Sequence, residues 1–453
     1  MEPQPPVPGS RSPAPPRATS TRLDSYVDRY AARTAGMTAS EIRALFAVAS
    51  RPEVVSLAGG MPNISGLPLD VVGSAIGDLI AHHGPVALQY GSGQGDPRLR
   101  EQITDVMRLE GIDAHPDDVV VTVGSQQAVD LVTRIFCDPG DVVLCEAPSY
   151  VGALGVFKAF QADVVHVEMD ADGLVPAALA AAIAAVKASG RTIKFLYTIP
   201  NFHNPAGVTM SIARRAEVLD ICRREEVLVL EDNPYGLLGF DSEPMRALRA
   251  DEAEGVVYLG SFSKTFSPGM RVGWALAPHA VREKLVLAQE SATLCPPSFS
   301  QMAVSAYLTQ HDWQGQIKQM REMYRERRDA MIQALEDFMP PACTWNSPRG
   351  GFFVWVTLPP GIDAKAMLPR AVTARVAYVP GTAFFADGFG AGSMRLSFCF
   401  PTPERIREGV RRLAGVLEQE TELRQMFGAT GPAVAPVQLG GRSGYDGPST
   451  EVN

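Results

Sequence analysis

The chain has 453 residues, of which 46% are hydrophobic and 20% charged, with a formal net charge of −9. That length can bury a large core and predicts two domains, while a mildly acidic surface gives no general attraction for nucleic acid or anionic membranes. The six cysteines (137, 145, 222, 295, 343 and 399) are scattered without a CxxC pair, which argues against a disulfide framework and for a reducing cytoplasm, and no metal ligands are singled out. No apolar run is long enough to cross a bilayer, and the N-terminus has no signal-peptide core.

Residues 1–20 are rich in Pro, Ser and Arg and are expected to form a disordered arm. A helix is expected over roughly Ser40–Ser50, with Ile42, Leu45, Phe46 and Val48 on its apolar side and Arg43 projecting from it. The stretch Val54-Val55-Ser56-Leu57-Ala58-Gly59-Gly60-Met61-Pro62-Asn63 reads as a short strand. It runs into two glycines, where backbone can approach a ligand closely. Gln89-Tyr90-Gly91-Ser92-Gly93-Gln94-Gly95 is a glycine-rich loop without a Walker lysine, and a helix is expected from Arg98.

From Val119 to Trp274 apolar runs alternate with helical stretches. The strands are expected at Val119–Val123, Val142–Cys145, Val164–Val167, Ile193–Ile199, Val227–Leu230 and Val256–Leu259. Near-continuous apolar strands separated by helices predict a parallel sheet covered on both faces, with ligands at the carboxyl ends of its strands. Ser300–Phe338 reads as one long helix with a mixed-charge solvated face. A smaller unit follows Pro340-Pro341, with strands near Gly351–Leu358, Val376–Val379 and Met394–Phe398 and a last helix from Pro403 to Met426. A Gly/Pro/Ser-rich tail, expected to be disordered, fills 428–453.

Chemistry-bearing residues fall at those strand ends. Ser125 and Gln126 follow the first strand at a helix start, which is an anion site; capping and phosphate binding are both open to Ser125. Asp232 ends an apolar strand and needs a partner, a protonated ring nitrogen or a helix cap. Asn204 can donate to a phenolate oxygen or serve the turn. Neighbouring His203 reads as a loop histidine, since Lys264 can already carry the proton. Tyr150 can stack on a planar ring. Arg395 is a charge inside an apolar strand, and its planar fork suits an amino-acid carboxylate. Ser261-Phe262-Ser263-Lys264 with Arg271 sets one lysine among hydroxyls and an arginine. Such a group suits a phosphate beside an amine that condenses with an aldehyde, the pair of features that pyridoxal 5'-phosphate (PLP) carries.

Taken in order, these motifs resemble fold-type I PLP-dependent aminotransferases of class I/II. Ser56-Leu57-Ala58-Gly59-Gly60-Met61-Pro62-Asn63, Leu88-Gln89-Tyr90-Gly91, Gly124-Ser125-Gln126-Gln127-Ala128, Asn204-Pro205-Ala206-Gly207, Glu231-Asp232-Asn233-Pro234-Tyr235, Ser261-Phe262-Ser263-Lys264, Arg349-Gly350-Gly351-Phe352-Phe353 and Met394-Arg395-Leu396-Ser397-Phe398 carry the likeness. Roughly Ala39 to Glu418 is covered, and the chain is most similar to the 2-aminoadipate/kynurenine aminotransferase subgroup. The resemblance implies a large domain (85–310) with a mostly parallel seven-stranded sheet, a smaller α+β domain (311–427), and an N-terminal segment (21–84) that contributes to the small domain and the site. It implies that Lys264 binds PLP and moves the proton, and that Asp232 holds the ring nitrogen. Asn204 and Tyr235 would bind the ring oxygen, and Tyr150 would stack. Ser125, Gln126, Ser261, Ser263 and Arg271 would hold the phosphate. Arg395 would take the substrate carboxylate, with Gly60 and Arg43 on the substrate side. Tyr90 would reach the neighbouring subunit's site, so a homodimer is implied. Amino acids and 2-oxo acids are the implied substrates. A PLP-dependent oxidase, oxygenase or decarboxylating enzyme of specialised metabolism is the second reading, since one scaffold hosts many chemistries. A ligand-binding regulator is the third, weakened because too little chain precedes Arg43 for a DNA-binding domain.

Overall fold

The computed structural model describes residues 26, 29–37, 51–240 and 243–427. The expected helix at 40–50, Arg43, the first 20 residues and the 428–453 tail lie outside the described residues. After the two-residue strand β1 (Val55–Ser56), a helix spans Leu69–Ala87 and another Pro97–Arg108, the latter capped by Asp96, whose side chain accepts from the Leu99 amide.

The large sheet then forms from β2 (Val119–Thr122), β3 (Val142–Ala147), β4 (Asp163–Asp170), β5 (Gly173–Leu174), β6 (Ile193–Thr198), β7 (Leu228–Asp232), β8 (Val256–Ser261) and β9 (Gly273–Leu276). Their order is β2-β9-β8-β7-β6-β3-β4-β5. β3, β4, β6, β7 and β8 pair in parallel, whereas β9 runs antiparallel between β2 and β8. Seven strands were expected; the eighth, β5, is a two-residue hairpin return on β4 (Met169 opposite Leu174). β2, β8 and β9 are buried at every position, because helices cover both faces. Each fully buried Val or Leu in them contributes about 1.5–3 kcal/mol of transfer free energy.

The single helix expected over 300–338 is two, Ser298–Gln310 and Trp313–Phe338. His311 is extended, and the Asp312 carboxylate accepts from the Gly315 amide to open the second helix. A helical charge pattern that runs through such a break hides it, since only the capping aspartate marks the restart.

The smaller unit has β10 (Thr344–Trp345), β11 (Phe353–Thr357), β12 (Val376–Ala377), β13 (Val379–Pro380) and β14 (Ser393–Ser397). Four of these make an antiparallel sheet in the order β10-β11-β14-β13, and β12 pairs in parallel with β1. That last pairing stitches the start of the described chain onto the small unit. The Ser397 amide also donates to the Leu57 carbonyl at 2.8 Å, so the Gly59-Gly60-Met61 stretch is held beside β14.

Candidate active site

The carboxyl ends of β2, β3, β6, β7 and β8 all open toward one side, where residues from both sheets enclose a cavity of about 330 Å³. Ser125, Tyr150, Asn204, Asp232, Tyr235, Lys264, Arg395 and Gly60 all line it.

Lys264 follows β8. Its Nζ donates to the Gly60 carbonyl at 2.9 Å and lies 5.8 Å from the Phe352 ring. Loss of water around the ammonium lowers its pKa to about 8, and the nearby Arg395 and Arg271 push the same way. Ser261 Oγ accepts from the Ser263 amide at 3.0 Å, and Arg271 Nη1 donates to Ser263 Oγ at 3.3 Å. Arg271 sits in the left-handed region (φ 53°) and also donates to the Val123 carbonyl at 3.1 Å, directly before the helix Gly124–Phe136. Gly124 is required there. Its φ is +73°, and a Cβ would lie 2.4 Å from Arg271 Nη2. Two hydroxyls and a guanidinium therefore converge on free helix N–H groups. Val123 occupies the helix N-cap without a side-chain cap bond, so Ser125 does not cap the helix. Gln126 turns its amide to the Gly152 carbonyl at 2.9 Å.

Asp232, at the end of β7, is 3% exposed. Its Oδ2 accepts from the Tyr197 hydroxyl at 2.7 Å, while Oδ1 is buried with no partner. Burial raises its pKa to about 6, against the opposing effect of the Tyr197 bond and Lys264. A buried carboxylate oxygen without a donor is costly, and the site fits a ligand that brings an N–H to it. Tyr197 was not among the residues singled out from sequence. Its signal was a phenol inside the apolar run Phe195-Leu196-Tyr197, which must find a partner when buried.

Arg395, on β14, is 2% exposed. Nη1 donates to Asn204 Oδ1 at 2.8 Å, Nη2 to the Ala58 carbonyl at 2.7 Å, and Nε has no partner. The guanidinium lies 4.1 Å from the Phe353 ring centroid and 5.0 Å from that of Phe384. Burial brings its pKa down to about 10, so it stays charged and lacks an anion among the described residues. Tyr235 is buried edge-on against Phe352 and Phe353, and burial raises its hydroxyl pKa well above the usual range.

Tyr90 is 77% exposed and does not line this cavity. His203, in the loop after β6, is fully buried, and its Nε2 lies 3.0 Å from the carboxylate of Glu146, another residue sequence reasoning passed over.

An unpartnered carboxylate oxygen, a lysine with lowered pKa, a hydroxyl–arginine cluster at a helix start and an unpaired buried arginine together define a site for a phosphorylated, nitrogen-bearing aldehyde cofactor and a carboxylate substrate. Comparison with known proteins agrees. Residues 52–413 match the family described as aminotransferase class I and II. An aromatic-amino-acid aminotransferase from Thermococcus litoralis is 42% identical over 87% of this chain and 95% of its own length. A 2-aminoadipate transaminase from Thermus thermophilus is 38% identical over 84% of this chain and 94% of its own. The crystal structure of Pyrococcus horikoshii kynurenine aminotransferase superposes with a TM-score of 0.83 at 37% identity, covering 87% of this chain and 98% of that one. The chain belongs to the class I and II aminotransferases. It is a PLP-dependent enzyme that moves an amino group between an amino acid and a 2-oxo acid. The oxidase or decarboxylating reading is not favoured.

Proposed function

We propose that this enzyme takes donors with a large apolar or aromatic side chain, and that the residues gathered at the strand ends carry the roles assigned to them from the sequence. The observation that carries the reading is Arg395, a buried cation with an unpartnered Nε at the cavity wall. Met61, Val151, Ile199 and Phe353 supply apolar lining near it, which suits an apolar side chain once the carboxylate is held. The name of the T. litoralis relative points the same way.

In this reading Asp232 Oδ1 would accept from the ring nitrogen of PLP, and Asn204 and Tyr235 would serve the ring oxygen. Tyr150 would pack on the ring. Ser125, Ser261, Ser263 and Arg271 bind the phosphate, with Gln126 helping through its helix-start position. Bound PLP supplies an aldehyde for the amino group and an electron-withdrawing ring. Lys264 Nζ then moves the proton at the substrate Cα, and Gly60 stands on the substrate side.

A screen of donors with a 2-oxo acid tests this. The wild-type enzyme is expected to prefer aromatic L-amino acids and to reject their decarboxylated amines. Arg395→Lys keeps the charge but loses the fork, and should weaken donor binding by about 1–3 kcal/mol with PLP content barely changed. Equal use of amino acids and amines by the wild type removes Arg395 from carboxylate recognition.

The active unit in this reading is a homodimer in the cytoplasm. Exposed Leu69, Val86, Leu88, Tyr90 and Leu294, 56–77% accessible, give apolar area for a second copy. The glycine-rich loop would carry Tyr90 into the partner's site. The five buried cysteines of the six suit a reducing compartment. Sedimentation should show two chains per particle, and a fully active monomer would exclude the arrangement.

A further inference from the structure

Glu146 and His203 are fully buried ionisable groups that the chemistry above does not use. Glu146 stands at the end of β3, just before the segment that delivers Tyr150. Its Oε1 accepts from the Thr198 hydroxyl and its Oε2 from the Ile199 amide, each at 2.8 Å, so it clamps the end of β6. His203 Nε2 lies 3.0 Å from Oε2, off the line of its N–H, so this is a close polar contact rather than an aligned hydrogen bond. On the other side of the ring, Nδ1 accepts from the Ala206 amide at 3.2 Å. An accepting Nδ1 places the ring proton on Nε2, the nitrogen beside Glu146. The imidazole thus spans from the sheet to the far side of the loop that carries Asn204.

That loop bridges the two halves of the molecule. Arg215 Nη2 holds its start, at the Pro200 carbonyl and the Asn201 side chain. The Ala206 carbonyl accepts from Asn346 of the smaller unit at 2.8 Å. Between these anchors Phe202 adopts a left-handed conformation (φ 50°), which surrounding contacts must enforce. Asn204, next to His203, meets Arg395 across the cavity. His203 itself does not line the cavity.

We propose that Glu146 and His203 are a positioning pair: they lock the loop so that Asn204 meets both Arg395 and the oxygen of the PLP ring, and thereby set the affinity for substrate carboxylate and cofactor together. The inference rests on the assignment of Arg395 to the carboxylate. Failure of that assignment shows separately, as an Arg395→Lys enzyme with unaltered donor binding.

The test compares His203→Ala and His203→Gln, each alone and combined with Asn204→Ala. Loss of one positioning contact should raise KM for an aromatic amino acid by about tenfold, the worth of one hydrogen bond, with a smaller change in kcat. PLP should leave the His203→Ala holoenzyme on dilution faster by a similar factor. Glutamine restores both contacts, since its carbonyl can accept from Ala206 and its amide can donate to Glu146. His203→Gln is therefore expected to recover KM and PLP retention, with a pH profile that follows the wild type. In the Asn204→Ala background, His203→Ala should add nothing further, because the pair acts through that asparagine.

Unchanged KM and PLP retention in His203→Ala overturns the proposal. So does full additivity with Asn204→Ala, which marks a general structural role. A glutamine variant as impaired as the alanine variant overturns it as well, in favour of a titrating histidine. Should His203→Ala not fold, Glu146→Gln is the second variant. It keeps the shape and removes the charge, and wild-type KM and PLP retention there also exclude the pair.

Discussion

Lys264→Ala is expected to abolish turnover, with a loss of about 10⁴-fold or more, because in the proposed function one side chain both anchors the cofactor and transfers a proton. The variant should also lack the visible absorbance band of the wild type that borohydride quenches. The geometry explains why this lysine can do both. Its Nζ is tethered to the Gly60 carbonyl and lines the same cavity as Asp232 and Arg395. Burial lowers its pKa to about 8, so near neutrality it is mostly protonated, yet a useful fraction is neutral. In the PLP-stripped protein, competitive labelling with an amine reagent should show Lys264 gaining reactivity as pH rises through about 8. Exposed lysines should do so near about 10.4. A variant that turns over normally, or a Lys264 that titrates with the surface lysines, would contradict the assignment.

Asp232→Asn is the second large effect. The carboxylate costs free energy to bury and keeps one oxygen without a donor, while Tyr197 holds the other at 2.7 Å. Asparagine preserves the shape and the Tyr197 contact but removes the negative charge that, in the proposed role, would favour a protonated ring nitrogen. Loss of one preorganised charge from a closed site should lower kcat by about 100-fold or more. The fold should survive, because the strand around Asp232 is held by β6 and β8 on either side. Near-wild-type kcat with PLP bound would remove Asp232 from its role. Tyr197→Phe should cost less, since it removes an orienting hydroxyl and leaves the charge in place.

Much of this enzyme was legible in one dimension. The apolar runs ending in Asp232, Ile199 and Leu259 predicted strands, and the alternation with helices predicted parallel pairing. Chemistry at strand ends follows from that topology, because parallel strands deliver their carboxyl ends to one side. Lys264, Asp232, Asn204, Tyr150, Tyr235, Ser125, Gly60 and Arg395 accordingly line one cavity. The lone charge of Arg395 in an apolar strand signalled an anion partner before any fold was known, since a buried cation must be paired.

Other features belong to the tertiary structure alone. The break at His311 depends on a single capping aspartate within a charge pattern that otherwise continues. β9 is antiparallel because of the strands it lies between, which local composition does not encode. Tyr197 lay inside an apolar run, and Glu146 lay just past the end of another. Their importance comes from what lies across the sheet: an aspartate at the end of the next strand, and a histidine in the following loop. Sequence by itself determined which residue types stood at which strand ends, because strand length and burial are local properties of the chain. Which of those polar groups found partners, and which were left buried and unpaired to receive a cofactor and a carboxylate, was decided only when strands far apart in sequence came within hydrogen-bonding distance.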